Sequence, residues 1–515
     1  MYQCPGCGGN LEFNIESQRL KCKYCSQIYD PYVITKESDG YETDSFEATY
    51  FTCPQCGGEI YSTDNAAAGF CSFCGASTIL SSRIAREKSP DKLIPFKISK
   101  EKCKDMYMSK VRRALFAPKY MKNKEAIESF RGIYMPYWKY KYLSNGQVSV
   151  NAKKSHRSGD YIITDHYRLN GNIDAFYDGF TYDSSSSFYD NISEEIAPYD
   201  LGQSADFTAS MLSGFYADVA DVPTHVYMSD AHDKAYSNTV DEYCNIPPFK
   251  GFEVDKKKAD IPIQSNGVER LLFPVWFMSY RHKNRVAYVT INGQTGKMSA
   301  DIPIDYKKFL FFSLLLTVPI FLMLNFLPAI VPYTLTKVVS ILSLITTIIF
   351  CIQMNSIVKR QKNLGDQGLN WNKDEVSSRS KKKKKKIKIG EIVIILSIAS
   401  FTIVPTTLAA GEAIKGLIEI ISGVAMLIIY VVNKEKKEDY DIDGLFTVLF
   451  GAITVFICGM LEIINPVLDL YYYGAAIFVT LGIFMILSAI MVNYNKLVTR
   501  RPPQFNKKGG DDSAY

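Results

Sequence analysis

Cys4-Pro5-Gly6-Cys7-Gly8-Gly9 stands at the start of the chain, and Cys53-Pro54-Gln55-Cys56-Gly57-Gly58 repeats nearly the same phrase 49 positions later. Each phrase has a second half. Cys22 and Cys25 follow the first, and Cys71 and Cys74 follow the second. Both sets read C-x2-C, fourteen residues, C-x2-C, which makes them an internal repeat. Two intervening residues let one tight turn aim two sulfurs at one ion, and a second pair completes a tetrahedron. The glycine pairs suit the positive φ that such a turn needs. Between the pairs, Asn10 to Asn14 alternates like a short strand, as do the residues around Ile60 and Tyr61 in the second copy. Four thiolates leave no open position, so the expectation is two structural zinc ions, four cysteines each. So small a unit buries too little to fold without its metal.

Eight of the twelve cysteines lie in these two sets; Cys103, Cys244, Cys351 and Cys458 are scattered singly and read as small apolar residues. A C-x2-C pair also marks thioredoxin-like redox sites. The doubled, evenly spaced pattern and the lack of a βαβ context favour metal in a reducing compartment. Residues 1–35 and 49–80 resemble zinc ribbons of the transcription-factor-IIB and rubredoxin type. That resemblance implies a small β fold around the metal and leaves open whether the ribbons bind nucleic acid, bind protein or stiffen the chain. Charge argues against nucleic acid: residues 1–80 carry four basic side chains and ten acidic ones, and phosphate backbones are bound through Lys and Arg. Residues 36–48 and 81–91 are polar and read as linkers.

Residues 92–305 read as a β-rich α+β cytoplasmic domain. A helix is expected over 101–117, ended by Pro118. Val286-Ala287-Tyr288-Val289-Thr290-Ile291, after a Lys283-Asn284 turn and before Asn292-Gly293, signals hairpins. The stretch 132–140 echoes 271–280, each with an aromatic run, then Pro, then Trp two residues on. Charge is split: 92–157 holds seventeen basic residues against four acids, whereas 169–233 holds twelve acids and no Lys or Arg. The halves pack together, or the basic stretch lies on an anionic inner leaflet, or it binds nucleic acid.

The remainder reads as membrane. Six apolar runs, 309–329, 337–357, 391–410, 415–432, 444–463 and 471–492, are each long enough to span. They form an α-helical six-span domain: spans 1–2 in 306–358, a basic loop at 359–390, spans 3–6 in 391–493 and a tail at 494–515. The loop holds twelve Lys and Arg, including the run 381–386. By the positive-inside rule both termini are cytoplasmic in a multi-pass inner-membrane protein, and no signal peptide is visible. Glu419 is the strongest intramembrane ionisable candidate for a transporter or channel, the rival class. His156, His166, His225, His232 and His282 fall in no catalytic motif, so the expectation is not an enzyme.

In layout the chain resembles uncharacterised bacterial membrane proteins with N-terminal zinc ribbons, some labelled helicase-like. It has no P-loop or helicase motif, so the resemblance implies no activity. The expected function is a membrane-anchored docking module for a cytoplasmic protein, with anionic lipid as a second partner.

Overall fold

A computed structural model describes residues 2–39, 44–63, 70–78, 80–123, 127–247, 250–254, 259–324, 331–361, 367–370, 416–417, 419–424, 427 and 444–505. The first cysteine set lies on a three-stranded antiparallel sheet: β1 (Leu11–Asn14), β2 (Arg19–Cys22) and β3 (Ile28–Tyr29), followed by α1 (Pro31–Asp39). Leu11, Phe13, Leu20 and Cys22 face inward, as the strand period requires.

The second set is not a separate module. Its strands β4 (Ser45–Thr52) and β5 (Glu59–Ser62) belong to a twelve-stranded sheet, together with β6 (Ser81–Lys88), β7 (Lys92–Leu93), β8 (Arg131–Ser158), β9 (Tyr161–Asp183), β10 (Ala205–Asp206), β11 (Tyr216–Asp218), β12 (Glu253–Val254), β13 (Gln264–His282), β14 (Arg285–Asn292) and β15 (Met298–Ala300). The join is β11, antiparallel to β5 at Ala217↔Tyr61 and parallel to β8 at Ala217↔Tyr134. Residues 49–80 therefore share one core with 92–305. Neither polar linker is a plain linker: 36–48 includes the end of α1 and the start of β4, and 81–91 contains β6. A ladder hydrogen bond needs no apolar side chain. The polar residues of β6 are also matched, Glu87 by Arg270 at 2.7 Å and Arg83 by Glu59 at 3.3 Å.

The helix expected over 101–117 is α2 (Lys100–Arg113), capped by Ser99. The Lys283 turn and the Asn292 turn both form, with Lys283 at φ +54°. The two Pro–Trp stretches are neighbours on β8 and β13, paired antiparallel so that Pro274 faces Tyr134 and Pro136 faces Leu272. The charge halves meet across the same ladders. Lys139 is buried between Asp178 (2.6 Å) and Glu269 (3.3 Å), and Lys141 also pairs with Glu269. Packing together is thus what the structure shows for this part of the split. Helices α3 (Asp190–Ile196) and α4 (His225–Asn245) cover the sheet.

After β15 come α5 (Tyr306–Leu324), α6 (Pro332–Gln361), α7 (Leu445–Ile464) and α8 (Asp469–Val498). The six-span expectation is corrected: among the described residues three candidate spans stand, not six. Among the described residues, only Pro332–Ile357, Phe446–Ile464 and Asp469–Val498 are helices long and apolar enough to cross a membrane. The run 309–329 is matched by α5 only as far as Leu324, and 325–329 lies outside the described residues. The described part of α5 contains Pro319, which removes a backbone donor, and is not one of the three. The run 391–410 lies outside the described residues, as does much of 415–432.

Candidate metal centres

All eight cysteines are brought together as two groups of four, Cys4, Cys7, Cys22, Cys25 and Cys53, Cys56, Cys71, Cys74, each with its sulfurs within 4.8 Å of one another. None forms a disulfide. A tetrahedral thiolate site with metal–sulfur bonds near 2.3 Å needs sulfurs about 3.8 Å apart. The structure has Cys4–Cys25 at 3.6 Å, Cys7–Cys22 at 3.4 Å, Cys53–Cys74 at 3.8 Å and Cys56–Cys71 at 3.7 Å. The residues fit such an ion.

Four knuckles with one backbone pattern produce this geometry. In each, the first cysteine's N–H donates to the carbonyl five residues on: Cys4 to Gly9, Cys22 to Gln27, Cys53 to Gly58 and Cys71 to Ala76. Its carbonyl in turn accepts from the N–H four residues on, at Gly8, Ser26, Gly57 and Gly75. Those four residues have φ between +61° and +71°, the left-handed region that glycine enters at least cost. The remaining glycines of the pairs do a different job. A Cβ at Gly9 would meet the Tyr24 ring at 2.4 Å, and one at Gly58 would meet the Phe73 ring at 2.6 Å. Tyr24 and Phe73 are themselves 49 positions apart, so the repeat includes an aromatic lid seated on a glycine.

The two centres differ in what surrounds them. Tyr24 is 77% exposed and Phe73 only 2%. Cys7 and Cys25 are exposed, whereas all four cysteines of the second group are buried. At the first centre the Tyr29 hydroxyl lies 3.4 Å from Cys4 Sγ and holds that thiol down, to about 6, which favours the thiolate that a cation needs. At the second, Tyr288 donates to the Phe73 carbonyl at 2.6 Å, and Ser279 donates to that of Cys71 at 3.5 Å. The segment after α8 closes the shell: the Phe505 N–H donates to the Cys56 carbonyl at 2.8 Å, and its ring packs edge-on to Phe73 at 5.9 Å. Sequence reasoning missed Phe505, Tyr288 and Ser279. No spacing links them to the cysteines; only the 49-residue offset of Tyr24 and Phe73 was there to be read.

Glu419 lies between helices, buried, and accepts from Ser340 of α6 at 2.8 Å; Glu462 of α7 is equally buried. His156 and His232 are exposed beside Asp165 and Asp233, at 3.6 and 3.7 Å.

No protein-family profile matches the chain, and no solved structure matches it. It is 28% identical over 312 residues to an uncharacterised protein of Bacillus subtilis (strain 168), YdjG, an alignment that covers 60% of this chain and 91% of that one.

Proposed function

We propose that this is a membrane-anchored zinc protein whose first ribbon docks a cytoplasmic protein, while the second holds the β domain together. The observation that carries the reading is the contrast between the two centres. The first module leaves Tyr24, Ile28, Tyr32 and Val33 exposed on a unit whose acids Glu12, Glu16 and Asp30 are matched in number by Arg19, Lys21 and Lys23, with Lys23 on Glu12. Isolated exposed apolar residues are ordinary, but four on a module of this size, with charges of both signs among them, suit a partner that presents an apolar patch with a mixed-charge rim. Zinc is the ion that a closed set of four thiolates selects in a reducing compartment. The segment that carries Lys496, Arg500 and Arg501 packs on the β domain, Arg500 pairing with Val286, and a Lys- and Arg-rich flank favours the cytoplasmic side.

The test places a photo-crosslinking residue at Tyr24 in cells and compares the product with that from the same probe in a Val33→Asp background. The reading expects one discrete adduct, lost in the variant while both zinc ions remain by native mass spectrometry. A product unchanged by Val33→Asp sinks it. A second reading, transport, is favoured by buried Glu419 with its Ser340 partner, since carboxylates between apolar helices are costly to keep. Glu419→Gln would abolish transport and leave the Tyr24 adduct intact.

A further inference from the structure

A cavity of about 510 Å³ lies where the β domain meets the membrane helices, walled by the end of α2, by α3, by the chain after β15 and by the ends of α6 and α8. Four arginines gather there. Arg360, on α6, lines the cavity. Arg500 lies just behind the wall: its Nη2 donates at 2.9 Å to Oδ1 of Asn191, which lines the cavity. Arg285 binds backbone carbonyls at the end of α8, which offer it no countercharge. Burial, and then the charges of Arg501 and Arg360, push Arg285 down to about 10. Arg501 follows directly in the chain.

Against these four, among the described residues that line the cavity, stand two carboxylates, both engaged. Glu195 accepts from Ser299. Asp301 accepts from the Tyr288 N–H at 3.1 Å and faces Arg360 at 3.7 Å. Arg500 shares the Asp301 carboxylate with Arg360. It is 8% exposed, its guanidinium sits 3.8 Å over the Tyr189 ring, and its Nε and Nη1 have no acceptor among the described residues. A buried guanidinium short of acceptors is costly unless an anion completes it.

We propose that this cavity binds a phosphate-bearing anion through Arg360 and Arg500. Phosphate oxygens match the planar fork of a guanidinium better than a single carbonyl does. The position fits as well. The cavity lies at the end of two candidate spans, with Tyr494 on its wall, at the depth where aromatic belts and lipid phosphates meet. The shared chemistry is the phosphate; its source is either a phosphatidylglycerol headgroup or a soluble phosphate. This site is independent of the docking reading.

The experiment uses the full chain, delipidated in detergent. Native mass spectrometry titrates phosphatidylglycerol, with phosphatidylcholine as control, and thermal unfolding titrates inorganic phosphate. Arg360→Gln and Arg500→Lys are measured beside the wild type. One saturable phosphatidylglycerol, weakened at least tenfold by both variants, supports a lipid headgroup. A phosphate-dependent rise in Tm without lipid retention, lost in both variants, supports a soluble ligand. Neither effect in the wild type, or effects that Arg360→Gln leaves unchanged in a folded protein, overturns the proposal.

Discussion

Gly9 and Gly58 occupy equivalent places in the two knuckle repeats, yet the structure assigns them different costs. Above Gly9 sits Tyr24, largely exposed and free to swing away; above Gly58 sits Phe73, closed in by Phe277 and Phe505. Gly58→Ala should therefore destabilise the β domain by about 1–3 kcal/mol, the usual cost of overpacking. Gly9→Ala should cost much less. Chemical denaturation of the two variants, followed by far-UV circular dichroism, compares them; equal losses would mean that the lids are equivalent after all. Exposure of the ligands makes the same distinction. With Cys7 and Cys25 open to solvent and the second set closed, a chelating dye should remove the metal of the proposed zinc protein in two phases. Cys7→Ser should delete the fast phase and Cys56→Ser the slow one.

The same repeat has been put to two uses among the elements. β1, β2 and β3 make a sheet of their own, whereas β4 and β5 continue through β11 into β8 and β13. Metal loss at the second centre should therefore spread. Cys53→Ser should open β5 and β11 to hydrogen exchange, while Cys4→Ser should leave β8 and β13 protected. The chain beyond α8 adds a further tie: Arg500 and Val286 exchange two backbone hydrogen bonds, at 2.7 and 2.8 Å, and Phe505 caps the Cys56 knuckle. Phe505→Ala removes a buried ring, a change of about 3 kcal/mol where the site cannot collapse. It should speed the slow zinc-release phase and spare the fast one.

Across the whole molecule, the buried metal centre and the last candidate span are joined by seven residues, 499–505. Ending the chain at Val498 should remove protection from the Val286 amide, which now donates to the Arg500 carbonyl, and should raise exchange across 53–76. An exchange pattern identical to that of the full chain would show that the tie carries no stability. The proposed phosphate site lies beside this tie, since Arg500 belongs to both. Loading the cavity should therefore slow exchange at Val286 as well.

The knuckles were legible because their determinants are local. Cysteine spacing and a residue able to take positive φ specify each turn, whatever surrounds it. The α2 helix and the Lys283 and Asn292 turns were legible for the same reason. The charge split could be read, but not how it is resolved, because Lys139 meets Asp178 and Glu269 only once β9 and β13 flank β8. Composition misread 81–91, since strand pairing satisfies backbone groups without apolar side chains. It also gave six spans where three candidate helices stand among the described residues, since an apolar run does not fix where its helix starts and stops. That two near-identical cysteine sets became one half-exposed centre, packed on the β domain through Phe13 and Leu20, and one sealed centre was decided by tertiary structure alone: burial of the second comes from Phe277, Tyr288 and Phe505, which lie more than 200 positions from the cysteines they cover, and no local pattern encodes a contact of that range.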